Sequence, residues 1–130
     1  MRKTNEVQRF ARWCFSRLGL RPIPIRLINY PRLIDPNGEY CFGCYTYGDG
    51  DAAEEGKIFI AYKLPKYSVL INVAHEIWHH YQNVDGRIRT MTLEECEREA
   101  EQAGNELLAL WLIRGGYVRK ENKGDETEQG

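Results

Sequence analysis

A chain of 130 residues is long enough for one domain with a hydrophobic core of its own. Its 18 Lys and Arg nearly cancel its 19 Asp and Glu, so no basic field argues for direct nucleic-acid binding and no large acidic block argues for a solvating tail. The longest apolar runs, such as Leu107 to Ile113, are far shorter than a membrane span, and the first six residues (MRKTNE) lack the apolar stretch of a signal peptide, which together predict a cytoplasmic protein with no membrane partner.

The chain opens with Val7, Phe10, Ala11, Cys14, Phe15 and Leu18 at the spacing of an amphipathic helix over 5–18. Thr4 or Asn5 can cap its start and Gly19 its end, and its expected place is over one face of a small sheet. Pro22 and Pro24 then forbid helix, and Ile23, Ile25 and Leu27 alternate into a first strand over about 24–29. The turn formers Asp35-Pro36-Asn37-Gly38 follow. From Glu39 to Tyr47 the aromatic residues, Cys and Thr read as a second strand, and Gly43 in its middle predicts a bulge or a place where another backbone approaches closely. Residues 48–56 (GDGDAAEEG) lack the ligand spacing of a calcium loop and read as a solvated hairpin connection. The clean alternation of Lys57 to Tyr62 makes a third strand, antiparallel to the second.

The four cysteines, Cys14, Cys41, Cys44 and Cys96, are too few and too uneven for a secreted disulfide framework. Cys41-Phe42-Gly43-Cys44 has the spacing of half a zinc ribbon or a redox pair, but no second pair completes the ribbon and a redox motif needs a helix where this sequence reads as strand. Free Cys behaves as a small buried hydrophobe, and all four are expected to be packing residues.

Pro65 stands at the start of a helix over about 67–84, whose face Leu70, Val73, Ala74, Ile77, Tyr81 and Val84, widened by Ile71 and Trp78, predicts burial nearly all round. Asp85-Gly86 ends it with a left-handed cap. Within it lies His75-Glu76-Ile77-Trp78-His79, and the chain's three His all fall in residues 75–80. On a helix, positions four apart sit one above the other, so His75 and His79 can converge on one metal ion. Two neutral imidazoles suit tetrahedral Zn²⁺ and leave positions for a third protein ligand and a water, with Glu76 beside them to take that water's proton. His80 points about 100° away from His79 and suits a supporting or surface role instead.

Thr92-Leu93-Glu94-Glu95 matches a capping box, and the helix after it is predicted to bury Cys96, Ala100, Ala103, Gly104, Leu107, Leu108 and Trp111 before stopping at Gly115-Gly116. Its small residues would let it lie close against the His-bearing helix. An antiparallel pair would bring one Glu from its acidic start to the metal; Glu97, Glu99 and Glu101 are the candidates, because Glu94 and Glu95 are explained by capping. Residues 1–116 therefore form one domain, and the polar, aperiodic stretch 117–130 is expected to be disordered.

The stretch Glu97-Arg98-Glu99-Ala100-Glu101-Gln102-Ala103, then Leu107-Leu108, downstream of the H-E-x-x-H sequence, resembles the ImmA/IrrE-type zinc metallopeptidases of the thermolysin-like gluzincin group. Their second helix reads close to E-x-E-A-N-x-x-A followed by paired Leu. The resemblance covers about 57–112 and, through the order of elements, most of the chain. It implies an α+β, zincin-like fold: an N-terminal helix, a small mostly antiparallel three-stranded sheet, the active-site helix and a helix carrying a Glu ligand. It implies Glu97 as third zinc ligand beside His75 and His79, and Glu101, at the family's Asn position, hydrogen-bonding a ligating His. It also implies limited proteolysis of a specific partner, such as a repressor in a phage or mobile-element setting. Ile77-Trp78 replaces the family's Leu-Gly, Gln102-Ala103-Gly104 stands where a Phe is usual, and the Pro after the Leu pair is missing, which leaves subfamily and substrate open.

The resulting expectation is hydrolysis of a peptide or protein substrate, with Glu76 accepting the attacking water's proton and passing it to the leaving amine. Extended substrate would pair with an exposed sheet edge, either the Gly43 strand or the one at 57–62. A second reading is a metal-binding interaction module whose activity is lost or latent, and a third is a helix pair merely tied by zinc. Neither needs a general base at Glu76.

Overall fold

The structure is a computed structural model and describes residues 2–47 and 55–115, the side chains of 114 and 115 excepted. In chain order the elements are α1 (Lys3–Arg17), β1 (Ile25–Ile28), β2 (Leu33–Ile34), β3 (Tyr40–Cys41), β4 (Gly43–Tyr47), β5 (Gly56–Ala61), α2 (Lys66–Val84) and α3 (Leu93–Leu110). A short 3₁₀ turn at Arg87–Arg89 joins α2 to α3, and a π-helical turn at Trp111–Gly115 follows α3.

The central strand is β5, whose alternation turns Ile58 and Ile60 fully into the core. It pairs on both sides, parallel with β1 (Ile25 opposite Ile58) and antiparallel with β4 (Gly43 opposite Ile60). The fold is thus α+β with a small mixed sheet, and the expectation of a mostly antiparallel one is corrected by the parallel β1–β5 pair. Strand 57–62 is also removed as a free edge, because both of its flanks are used. The strand expected over 39–47 is broken at Phe42: β3 pairs with β2 in a separate two-stranded ribbon, while β4 joins the main sheet. Gly43 lies just past the break, where a Cβ would come within 2.9 Å of Glu76 Oε2. The close approach is thus made by the side chain of the candidate general base and not, as expected, by another backbone.

Val7, Phe10, Ala11, Cys14 and Phe15 of α1 are buried with Ile58, Ile60, Leu70, Val73 and Ile77 in one core. The start of α1 is set by tertiary contacts rather than by the expected Thr4 or Asn5 cap: its N-cap is Arg2, with no side-chain cap bond, while Lys3 Nζ donates to the carbonyls of Tyr62 and Leu64 at 2.8 and 2.7 Å. Its end follows the sequence, with Gly19 at φ 71° and Leu20 N–H donating to Phe15 O at 2.8 Å. Buried Glu6 ties α1 to both neighbouring segments, pairing with Lys66 at 3.0 Å and accepting from Trp111 Nε1 at 3.5 Å.

Helix α2 buries Val69, Leu70, Val73, Ala74 and Ile77, whereas Val84, expected on the same face, is exposed at the helix end. Gly86 supplies the left-handed residue after it, at φ 84°. The capping box opens α3, with Glu95 N–H donating to Thr92 Oγ1 at 3.0 Å and Thr92 N–H to Glu95 Oε1 at 2.8 Å. Cys96, Ala100, Ala103, Gly104 and Leu107 form its buried face. A Cβ at Gly104 would stand 3.4 Å from His75 N, so α3 lies directly on the backbone of the motif helix. No helix among the described residues is long and apolar enough to cross a membrane. The expected tail at 117–130 and residues 48–54 of the hairpin connection lie outside the described residues.

The capping box fixes the turn from which the acidic residues of α3 project. Thr92→Ala is expected to lower unfolding free energy by about 1 kcal/mol, measured by urea denaturation as a lower midpoint with an unchanged slope.

Candidate metal centre

The two helices bring three donor groups together. His75 Nε2 lies 3.1 Å from His79 Nε2, Glu97 Oε1 lies 3.1 Å from His75 Nε2, and Glu97 Oε2 lies 3.2 Å from His79 Nε2. These three residues form the group, among the described residues, that could hold a metal ion. The four-residue spacing stacks the imidazoles, and close packing of α3 through its small face puts Glu97 across from both.

The hydrogen bonds around the group orient its donor atoms. His79 Nδ1 lies 2.9 Å from Gln82 Oε1, while Gln82 Nε2 donates to Cys96 O at 3.1 Å and to Glu99 Oε1 at 3.0 Å. The Gln82 amide is therefore turned with its oxygen toward His79, whose Nδ1 must carry a proton to donate to it. The lone pair of a neutral His79 then lies on Nε2, facing His75 Nε2 and a carboxylate oxygen. Electron-rich atoms at such distances repel unless a proton or a metal ion sits among them. Ligands 2.0–2.1 Å from a tetrahedral zinc stand about 3.3 Å apart, close to the separations seen here. The Glu97 side chain is 53% exposed and that of His79 only 12%, so the group is anchored on its α2 side and open to solvent on the other.

The charges respond accordingly. Glu97 is held well below the usual carboxyl range by its contacts with His75 and then His79, against the opposing effect of burial. Burial alone would push His79 down, but the contact with Glu97, the charge of Glu76 and the Gln82 hydrogen bond outweigh it and leave its pKa raised. Glu76 is buried, and burial raises its pKa despite the neighbouring His79 and His75. A carboxylate raised by desolvation beside a metal group is suited to accept a proton near neutral pH.

The surroundings form an open cleft of about 670 Å³ whose lining includes Phe42, Gly43, Asn72, Ile88, Met91 and Leu93 with the donor group. Strand β4 is the edge of the sheet on this side. Cys41 and Cys44 also line the cleft and are half-buried, so they are not the core packing residues expected; Cys14 and Cys96 are buried. His80 is buried rather than at the surface. The Tyr45 hydroxyl accepts from Asn83 Nδ2 at 3.1 Å and shares a hydrogen bond of 2.6 Å with His80 Nδ1. Burial pushes the Tyr45 pKa up to about 12, so the phenol stays protonated.

Of the three carboxylates considered as third ligand, the structure brings only Glu97 to the histidines. Glu99 instead accepts from Trp78 Nε1 at 2.8 Å, from Gln82 and from Arg87 Nη1 at 2.9 Å. Glu101 is exposed beside Arg98, Gln102, Asn105 and Glu106, and does not reach the ligating imidazoles. It lies about 40° around the helix from Glu97, on the side away from Ala100 and Ala103, which turns it outward. The residue that supports His79 is Gln82, three positions further along α2. The helix period puts it on the same stripe as His75 and His79, and its partners Cys96 and Glu99 lie on α3. No protein-family profile, curated protein or solved structure matches the chain.

The raised His79 pKa gives metal binding a defined pH dependence. Zinc takes the neutral imidazole, so a proton must leave, and apparent affinity is expected to fall as pH drops through a value above the ordinary His pKa of about 6.5. In the metal-free chain the His79–Glu97 contact stabilises the fold below that ordinary value and is lost as pH rises through the raised one. At a hundredfold excess of zinc over Kd, stabilisation at pH 8 should be about 2.7 kcal/mol. Thermal unfolding with a fixed zinc concentration should show a smaller upshift at about pH 6 than at pH 8; equal shifts would contradict this assignment.

Proposed function

We propose that the protein is a zinc-dependent metallopeptidase that cleaves a peptide bond in a specific protein partner. The observation that carries the proposal is the convergence of His75 Nε2, His79 Nε2 and the Glu97 carboxylate in a group that could hold a metal ion, with buried Glu76 beside it. His75, His79 and Glu97 would hold Zn²⁺. When bound, zinc supplies Lewis acidity, lowering the pKa of a water and polarising a carbonyl. Glu76 takes the proton of the attacking water and hands it to the departing amine nitrogen, so that one carboxyl group serves as base and then as acid. Its raised pKa suits it to both.

Substrate would lie extended along the free edge of β4, the edge strand that lines the cleft, adding a strand through main-chain hydrogen bonds. The resemblance to the ImmA/IrrE-type enzymes supports this reading and adds the expectations of a zincin-like fold, a cytoplasmic setting and a repressor-like substrate. A metal-binding module without activity is a weaker alternative, because it gives no use to a desolvated carboxylate held against the sheet edge at Gly43.

Two substitutions separate the readings. Glu76→Gln is expected to retain zinc while hydrolysis of a partner protein or peptide library falls by at least about a hundredfold. Gly43→Ala places a methyl group against the Glu76 carboxyl and is expected to keep zinc but slow hydrolysis by about tenfold or more. Mass spectrometry of the cleavage products measures both. Undiminished hydrolysis by Glu76→Gln would overturn the assigned base, and a wild-type chain that binds zinc but cleaves neither substrate would favour the interaction module.

A further inference from the structure

Gln82 has no assigned part in the H-E-x-x-H motif, yet it is fully buried, with both amide N–H groups donating and its oxygen accepting. Its oxygen meets His79 Nδ1 at 2.9 Å, and its nitrogen donates to Cys96 O and Glu99 Oε1. A Gln amide can be turned over only if its partners accept the exchange. Here neither Cys96 O nor the Glu99 carboxylate can donate, so the flipped amide would face two acceptors with its oxygen and leave His79 Nδ1 opposite a donor. Glu99 is itself fixed by Trp78 Nε1 at 2.8 Å and by Arg87 Nη1 at 2.9 Å, and Arg87 Nε also holds Asp85 at 2.7 Å. The network therefore runs from the connection between α2 and α3, through Glu99 and Gln82, to one imidazole of the donor group.

We infer that Gln82 is the positioning residue of the metal centre: it holds the proton of neutral His79 on Nδ1 and fixes the ring so that Nε2 is bare and aimed at the ion. Partners of this kind behind a ligating imidazole typically change metal affinity by about 10- to 100-fold. The role is distinct from catalysis, since Gln82 acts only through His79, and it rests on the metal-binding reading rather than on peptidase activity. It takes over the role that the sequence resemblance gives to Glu101, from the opposite helix.

The test uses the full-length chain labelled with ¹⁵N. Long-range proton–nitrogen correlation at alkaline pH should show His79 of the metal-free wild type protonated on Nδ1. Gln82→Met should lose that preference and bind zinc about 10- to 100-fold more weakly in competition with a chromophoric chelator. Gln82→Glu keeps an acceptor toward His79 but turns its second oxygen on Cys96 O and the Glu99 carboxylate, so it should retain the Nδ1 proton while lowering thermal stability. A wild-type His79 protonated on Nε2 would overturn the inference, whether or not either variant folds. So would a folded Gln82→Met chain with affinity within about threefold of wild type. If wild type binds no zinc, the metal reading fails and the inference with it, an outcome separate from a wild type that binds zinc without needing Gln82.

Discussion

Two imidazole nitrogens and a carboxylate, held within 3.1 to 3.2 Å of one another by two different helices, are the constraint around which this small structure is arranged. Such a group calls for a proton or a metal ion in its midst. What keeps it assembled is packing remote from the charges: Ala100, Ala103 and Gly104 let α3 settle on the backbone of α2, and the Thr92–Glu95 box fixes where α3 begins. The group is thus a consequence of helix approach as much as of the motif. A bulky residue at Gly104 would reach it through the backbone of His75.

The sheet contributes a second constraint. β5 carries the core, and its pairing with β1 on one flank leaves β4 as the edge that faces the donor group. At Gly43 the sheet comes so near α2 that a Cβ would displace the Glu76 carboxyl. That carboxyl is buried, and its desolvation raises its pKa.

What could be read from the sequence was local. The H-E-x-x-H stripe, the capping box at Thr92 and the left-handed residues Gly19 and Gly86 each depend on residues within a turn or two of one another, where helix period and backbone sterics decide the outcome. Strand partnership was not legible in this way, because alternation along β1 and β5 identifies strands but not their relative direction. The break at Phe42 follows from two sheets competing for one stretch of chain. Glu101 was expected at the site from its resemblance to a family position, and the buried Ala100–Ala103 face turns it outward. Gln82 was invisible as a support, and His80 could be given a supporting or surface role but no partner, since their partners lie on α3 and β4, 17 and 35 residues away.

The cleft offers a metal a competing set of donors, because Cys41 and Cys44 line it together with the histidines. Zinc-edge X-ray absorption of the metal-loaded chain in solution separates the two directly. A nearest shell of nitrogen and oxygen at about 2.0–2.2 Å, with imidazole scattering from two rings, is the result expected for a site made by His75, His79 and Glu97. A sulfur shell at about 2.3 Å would place the metal on the cysteines instead and contradict the assignment on which the proposed chemistry stands.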